Sequence, residues 1–332
     1  MFSSAATDMA ARLGLTMGRP NLEVFADTLL DLARADPNVL VVTSDSRGSG
    51  KLGPYGQTLP KQIVEVGIAE QNLVGIAAGL AAAGKSVFAV SPACFLTARS
   101  LEQIKNDIAY SDHAVTLVGI SAGVSYGALG STHHSLHDLA ALRAINNIDI
   151  IVPADNAEAR WAVQSAAESR RPTYLRFGKA PLYNLHDPAR PAYQAGQGVL
   201  LRDGADLAFV ATGETVAHAL LAAGELAVRD GIQCTVVSMP SIRPLDVNTL
   251  LRAARCGAVI TVEEHLVHGG LGEACAATLL EAGHCPRFKI VGIPDEYTVT
   301  GSQADIFRHY GISMEGLVDA AHLLLEAPAL RA

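Results

Sequence analysis

Charge is scarce in this 332-residue chain: Asp, Glu, Lys and Arg make up 17% of it, against 49% hydrophobic residues. That balance supplies apolar material for substantial cores, and the length allows two domains. A net charge of -8 offers no general attraction to nucleic acid or to an anionic membrane, although a local basic pocket for a phosphate is compatible with it. Cysteine is sparse too. Cys94, Cys234, Cys256, Cys275 and Cys285 are odd in number, form no CxxC pair and show no metal-ligand spacing, and a chain of this size has no need of disulfide staples. A reducing cytoplasm fits that pattern. The opening MFSSAATDMAARLGLTMGRP lacks the basic start and apolar core of a leader, and no uninterrupted apolar run reaches the ~20 residues of a membrane span. A repeat of about 20 to 50 residues is missing, which excludes solenoids. Missing too is a GxGxxG at the first strand-to-helix turn with an acidic residue about 20 positions on, which argues against a nicotinamide-dependent dehydrogenase.

What is present is alternation. Strand-like runs at Val39–Thr43, Ser86–Val90, Val115–Ile120 and Asp149–Val152 are interleaved with helical stretches at Val24–Ala35, Asn72–Ala83, Ala98–Tyr110 and Ala157–Glu168. This pattern predicts an α/β fold with a parallel sheet covered by helices on both faces. Residues 177–198, rich in Pro, Gly and Tyr and without clear periodicity, read as a linker, with a boundary near residue 190. Beyond it the pattern restarts with strands at Asp206–Ala211, Gln233–Ser238, Ala258–Val262 and Arg287–Val291, a second and smaller α/β layer structure. The expected organisation is an N-terminal extension over 1–20, a first domain over 21–190 and a second over 191–332.

Four segments carry chemistry. In GIAEQNLVGIAAGLAAAG, residues 67–84, Glu70 opens a helix of Ala, Gly, Ile and Leu, and Gly75, Ala78, Gly79 and Ala82 make a stripe that lets another backbone approach. A carboxylate in that place either caps the helix or does chemistry, because an unpartnered buried charge costs several kcal/mol. Glu65, in an alternating strand, is expected to pair locally. Phe95 follows a strand and opens a helix, at the carboxyl end of the sheet where ligands of open α/β folds gather; it reads either as a stacking face or as part of an apolar stripe with Ala98, Leu101, Ile104 and Ile108. The Gly-rich loop SAGVSYGALGSTHH, residues 121–134, ends in imidazoles. A capping box from Ser135 to Asp138 would keep His133 and His134 outside the next helix, away from His137, so that proton transfer or contact with a sugar hydroxyl suits them better than a metal. In PTYLRFGK, residues 172–179, Arg176 and Lys179 offer cations to an anion at another strand end, or form surface ion pairs.

In this order the segments resemble the C-terminal half of the transketolase family, its pyrimidine-binding domain followed by its C-terminal domain, over nearly the whole chain. GIAEQN resembles the catalytic-glutamate motif, CFLTARSLEQIKND the aromatic-bearing helix, and STHHSLHDLAALRAINNIDIIVPAD the Thr-His loop and its continuation. Glu263-Glu264-His265 followed by Gly269-Gly270-Leu271-Gly272 also looks like the family. The resemblance implies thiamine diphosphate as cofactor. Glu70 would hydrogen-bond a ring nitrogen of the aminopyrimidine, Phe95 would stack on that ring, and Asp45 would lie near the cofactor. His133 would contact the donor's carbonyl or hydroxyl end, while Arg176 and Ser49 would bind the phosphate of a sugar substrate. The family's N-terminal domain holds Mg²⁺ and the diphosphate through a Gly-Asp-Gly motif, and this chain contains none. The resemblance therefore implies a split enzyme, with an N-terminal partner subunit carrying that motif in a two-fold α2β2 heterotetramer.

Two positions depart from the family pattern. Leu129 stands where many transketolases have Asp, and Ser121 where many have His, so the donor need not be an ordinary xylulose or fructose phosphate. Apulose 4-phosphate and a sulfonated deoxyfructose are candidates. The beta subunit of a 2-oxoacid dehydrogenase, sharing the architecture and a glutamate before GIAxG, is the competing reading. A non-catalytic subunit of this fold is another.

Overall fold

The computed structural model describes residues 1–186 and 195–326, so the expected boundary near residue 190 lies outside the described residues. Two sheets organise the chain. The larger has seven strands in the spatial order Ser241–Arg243, Asp149–Ile151, Thr173–Arg176, Val115–Ile120, Ser86–Pro92, Val39–Thr43, Ile63–Glu65, and all but the first are parallel. Central strands such as VTLVGI are buried along their whole length, as expected where helices cover both faces. The register aligns Val90 with Thr43, and Gly119 with both Ser91 and Arg176. The chain segments that leave these strands, beginning at Ser44, Ala93, Ser121 and Phe177, therefore line up along one edge.

The second sheet has five strands in the order Arg287–Ile293, Ala258–Leu266, Leu207–Ala211, Cys234–Ser238, Val199–Arg202, with only the last antiparallel. The predicted strands and helices recur here within a few residues, with one instructive exception. The helix expected over Ala98–Tyr110 starts earlier, at Ala93, breaks at Ser100, and finishes as a π-helix over Ile104–Tyr110. Thr97 Oγ1 donates to the Ala93 carbonyl at 2.8 Å and Ser100 Oγ to the Leu96 carbonyl, hydroxyl contacts that compete with the helical ladder and bend it.

The two halves are more interwoven than the sequence suggests. Ser241–Arg243, from the second half, forms the outer strand of the first sheet, pairing Ser241 with Ile151. Pro181–Asn184, within the expected linker, is a strand paired with Thr16–Pro20. The N-terminal residues are likewise no loose extension: in the helix Ser4–Arg12, Ala6, Met9 and Ala10 are buried in the same core as Ala217, Leu220 and Leu221 of the helix Thr215–Asp230.

Candidate active site at the carboxyl edge of the larger sheet

Glu70 is the first residue of the helix Glu70–Ala82 and is buried, yet no hydrogen bond from the helix's own N–H groups satisfies it. Its Oε2 accepts from Arg99 Nη1 at 2.6 Å, while Oε1 takes no hydrogen bond among the described residues. The Arg99 side chain is 50% exposed, so the pair is reachable from solvent. Glu65 behaves as a local partner: its Oε1 accepts from the backbone N–H of Asp45 at 2.6 Å and of Gly67 at 3.0 Å. Asp45 is thereby held at a positive φ of 52° on an exposed turn, and Ser49 stands exposed four residues on. Ser44 Oγ donates to Ser91 Oγ at 2.8 Å, which fastens this turn to the strand that leads into Phe95.

Phe95 is only half-buried and belongs to none of the three hydrophobic cores, so it is not part of an apolar core stripe. The Arg99 guanidinium lies over it, 5.7 Å from the ring centroid, one helical turn on. His133 meets Phe95 edge-to-face at 5.4 Å and meets Tyr126 in the same manner at 5.4 Å, and Lys179 Nζ lies 4.1 Å from the Tyr126 centroid. Glu70, Arg99, Phe95, His133, Tyr126 and Lys179 thus form one continuous line of carboxylate, cations, aromatic faces and imidazole. Such a line can grip a planar ring at one end and an anion at the other.

The histidines separate. Thr132 Oγ1 lies 3.0 Å from His133 Nδ1, leaving Nε2 free among the described residues. His134 is buried, with Thr298 Oγ1 at 2.6 Å from Nδ1 and the Gly127 carbonyl at 3.0 Å from Nε2, and burial lowers its pKa. The expected capping box does not form: Ser135 Oγ is buried without a partner, and His137 stands at the N-cap of the helix Asp138–Arg143 with no side-chain bond to it. Asp138 is drawn elsewhere, by Arg176 and Tyr174.

Arg176 is placed differently from the sequence expectation. Its Nε donates to Asp138 Oδ2 at 2.8 Å, and Nη2 donates to the carbonyls of Ser135 at 3.0 Å and Glu264 at 2.9 Å, all buried. Burial alone would lower its pKa, but Asp138 and Glu264 outweigh it and the pKa rises. A guanidinium committed in this way braces the interior and is not presented to a phosphate. Lys179 is the cation at the rim: no carboxylate pairs with it among the described residues, and burial, followed by the nearby Lys51, lowers its pKa.

Sequence reasoning gave no role to Arg99, Tyr126 or the buried Glu214, and noted Glu264 only within a family-like run. Arg99 carries a readable signal, since it lies four residues after Phe95 on the same helical face; Tyr126 carries none. Ser121 is held at a positive φ of 54°, fully buried, with its Oγ lacking a hydrogen-bond partner. Strained residues of this kind, each costing ~1–3 kcal/mol, tend to cluster at functional sites, and Asp45 is its counterpart on the same edge. Leu129, 54% exposed, sits in the short 3₁₀ turn Gly127–Leu129.

Known proteins identify the family. The pyrimidine-binding domain of transketolase matches residues 20–183 and the transketolase C-terminal domain matches residues 196–317. The chain belongs to the transketolase family. It is 47% identical over 298 residues to one subunit of the apulose-4-phosphate transketolase of Phocaeicola vulgatus, covering 90% of this chain and 95% of that protein. It is 33% identical over 311 residues to a 6-deoxy-6-sulfo-D-fructose transketolase subunit of a Clostridium species, covering 93% and 95%. A solved structure described as a split gene transketolase in an inactive beta4 tetramer superposes with a TM-score of 0.83 at 35% identity, covering 93% of this chain and 98% of that one. Transketolases are thiamine diphosphate enzymes, and the chain corresponds to the C-terminal half of the family's architecture. These similarities place it with split transketolases and not with the 2-oxoacid dehydrogenase beta subunits.

Proposed function

We propose that this chain is the C-terminal subunit of a two-component transketolase that moves a two-carbon ketol unit from a phosphorylated or otherwise anionic ketose to an aldose phosphate such as glyceraldehyde 3-phosphate. The observation that carries the reading is the line from Glu70 to Lys179, standing in a transketolase chain that has no Gly-Asp-Gly. The half-buried face of Phe95 and the unbonded Glu70 Oε1 fit an aminopyrimidine. When bound, thiamine diphosphate supplies a nucleophilic carbon for cleaving the bond beside a ketose carbonyl. Glu70 would hydrogen-bond a pyrimidine ring nitrogen of that cofactor, and Phe95 would stack on the ring. His133, with Nε2 free, contacts the donor's carbonyl or hydroxyl end and carries protons to and from it. Lys179 takes the distal anion in place of Arg176, with Ser49 and Asp45 on the adjoining turn contributing to substrate and cofactor contacts.

The diphosphate and Mg²⁺ fall to an N-terminal subunit carrying Gly-Asp-Gly, in an α2β2 assembly located in the cytoplasm; among the described residues no helix is long and apolar enough to cross a membrane. Ile68, 74% exposed beside Glu70, and the open space above Gly75 and Gly79 make the Glu70 helix the natural seat for that subunit. We assign residues 21–190 to the pyrimidine-binding domain and 191–332 to the C-terminal domain. Leu129 and Ser121 leave no carboxylate or imidazole for a donor hydroxyl at those two positions, which favours donors such as apulose 4-phosphate or a sulfonated deoxyfructose over ordinary ketose phosphates.

Affinity purification from the native host tests the proposal. Co-elution of a chain carrying Gly-Asp-Gly, with ketol transfer by the assembled pair, is the expected result. A chain that elutes alone and binds thiamine diphosphate and Mg²⁺ unaided would overturn the two-subunit reading, and pyruvate decarboxylation by the pair would replace the reaction.

A further inference from the structure

Two segments present the cation and the aromatic face at the rim of the site: Gly178-Lys179 and the loop from Val124 to His133. Each rests on a different buried glutamate of the second half. Glu214 packs so closely under Gly178 that a methyl group on that glycine would run into its carboxylate. Glu264 Oε1 accepts the N–H of Val124 at 2.8 Å, and a methyl on Gly123 would meet the same carboxylate. Between the two acids lies a single amide. Gln303 Nε2 donates to Glu214 Oε2 at 2.6 Å and to Glu264 Oε1 at 2.8 Å.

The segment that carries Gln303 touches the loop again further along. Thr298 Oγ1 reaches Ser131 Oγ at 3.1 Å as well as His134, and Gly127 has no room for a side chain against the Gly301 carbonyl. We propose that Gln303 is a positioning residue for the reaction: by bridging Glu214 and Glu264 it locks the Lys179 segment to the Tyr126–His133 loop and so sets the geometry of the anion end of the site. The inference rests on the proposed function for its substrate but on the contacts alone for its mechanics.

Electrostatics makes the bridge consequential. Burial pushes both glutamates upward; the charge of Glu264 adds to the rise at Glu214 and that of Asp138 to the rise at Glu264, while Arg176 and the Gln303 amide oppose it for each. Near neutral pH the pair therefore retains a proton, and Gln303 supplies the donors that let two carboxyl groups share so small a space. Above that range a second buried negative charge develops, and the two N–H donors of Gln303 are what the carboxylates have between them.

Gln303→Met keeps the volume and removes the donors. Hydrogen–deuterium exchange on the full-length chain is expected to show peptides covering 121–134 and 177–181 exchanging about 10-fold faster than in the parent, with the strand Leu207–Ala211 unchanged. Unchanged exchange in both peptides overturns the proposal. In the assembled enzyme the same variant should raise KM for an anionic ketose about 10-fold with kcat within about twofold. Equal loss in kcat with KM untouched would overturn it. If Gln303→Met loses protection throughout, Gln303→Asn, which keeps an amide too short to reach both acids, is the variant to read, and the same two peptides decide. An assembled parent enzyme without ketol transfer would sink the proposed function, while the exchange result still decides the role of Gln303.

Discussion

Glu70 and Arg176 show how differently two charged residues of one site are held. Glu70 is buried but leans on a half-exposed arginine, so its removal leaves Arg99 free to turn to solvent. Glu70→Ala is expected to lower turnover of the assembled enzyme by ~10²–10⁴-fold. The melting temperature should move by no more than about 2–4 °C, the equivalent of ~1 kcal/mol in a chain of this size. A steady-state assay with a thermal scan checks both, and retained turnover would remove Glu70 from the mechanism. Arg176 is the opposite case. Arg176→Ala strands Asp138 as an unpaired buried carboxylate and should cost ~3–5 kcal/mol of stability, read by denaturant unfolding. Lys179→Ala should leave stability nearly unchanged and raise KM for an anionic donor by about 10- to 100-fold, the loss of a hydrogen bond to a charged group. If instead Arg176 controlled KM and Lys179 did not, the assignment of the anion contact would reverse. The sequence flagged both cations and could not rank them, because burial of a guanidinium among three oxygen acceptors is a property of packing.

Single elements carry their own electrostatic signatures. Glu263, in the strand Ala258–Leu266, accepts the N–H of Leu271 at 2.7 Å and of Gly272 at 2.8 Å, capping the helix Leu271–Glu281 across eight residues of chain. Burial pushes its pKa from 4.5 up to about 7, with those two N–H groups opposing the rise. A carboxyl group raised on folding contributes stability that is complete below its unfolded pKa and is lost as pH climbs through the folded value. Glu263→Gln, which stays neutral, should therefore match the parent near pH 4.5 and gain on it by a few kcal/mol by about pH 7, less whatever the weaker cap costs. Thermal scans across that window check it, and a difference independent of pH would show that Glu263 does not titrate there. Element existence was legible from the apolar periodicity. The break at Ser100 and the missing capping box at Ser135 were not, since a hydroxyl's choice between backbone and side-chain partners is set by the folded geometry, as where Thr97 and Ser100 turn back to carbonyls four residues earlier.

At the scale of the molecule, the two halves share structure in both directions. The strand Ser241–Arg243 completes the first sheet, the helix Ser4–Arg12 completes the core of the second, and Arg143 Nη1 reaches the Gly269 carbonyl and, at 2.8 Å, the Gly270 carbonyl across the seam. Scanning calorimetry should accordingly show one cooperative transition, and two resolved transitions would mean that the crossing elements contribute little. Deleting residues 1–13 should lower the midpoint markedly, because Ala6, Met9 and Ala10 leave the core and His218, stacked on Phe2 at 4.7 Å, loses its cover. By itself the sequence determined the α/β class, most strand positions and the family, and it singled out Glu70, Phe95 and His133 as candidates, since periodicity and short motifs are local and survive without coordinates. Tertiary structure alone decided that Lys179 stands at the rim while Arg176 is buried, that Tyr126 and Arg99 lie beside His133 and Phe95, and that Gln303 bridges Glu214 and Glu264. Those outcomes turn on which polar groups are buried and against whom, and burial is settled only when separate elements of the chain come into contact.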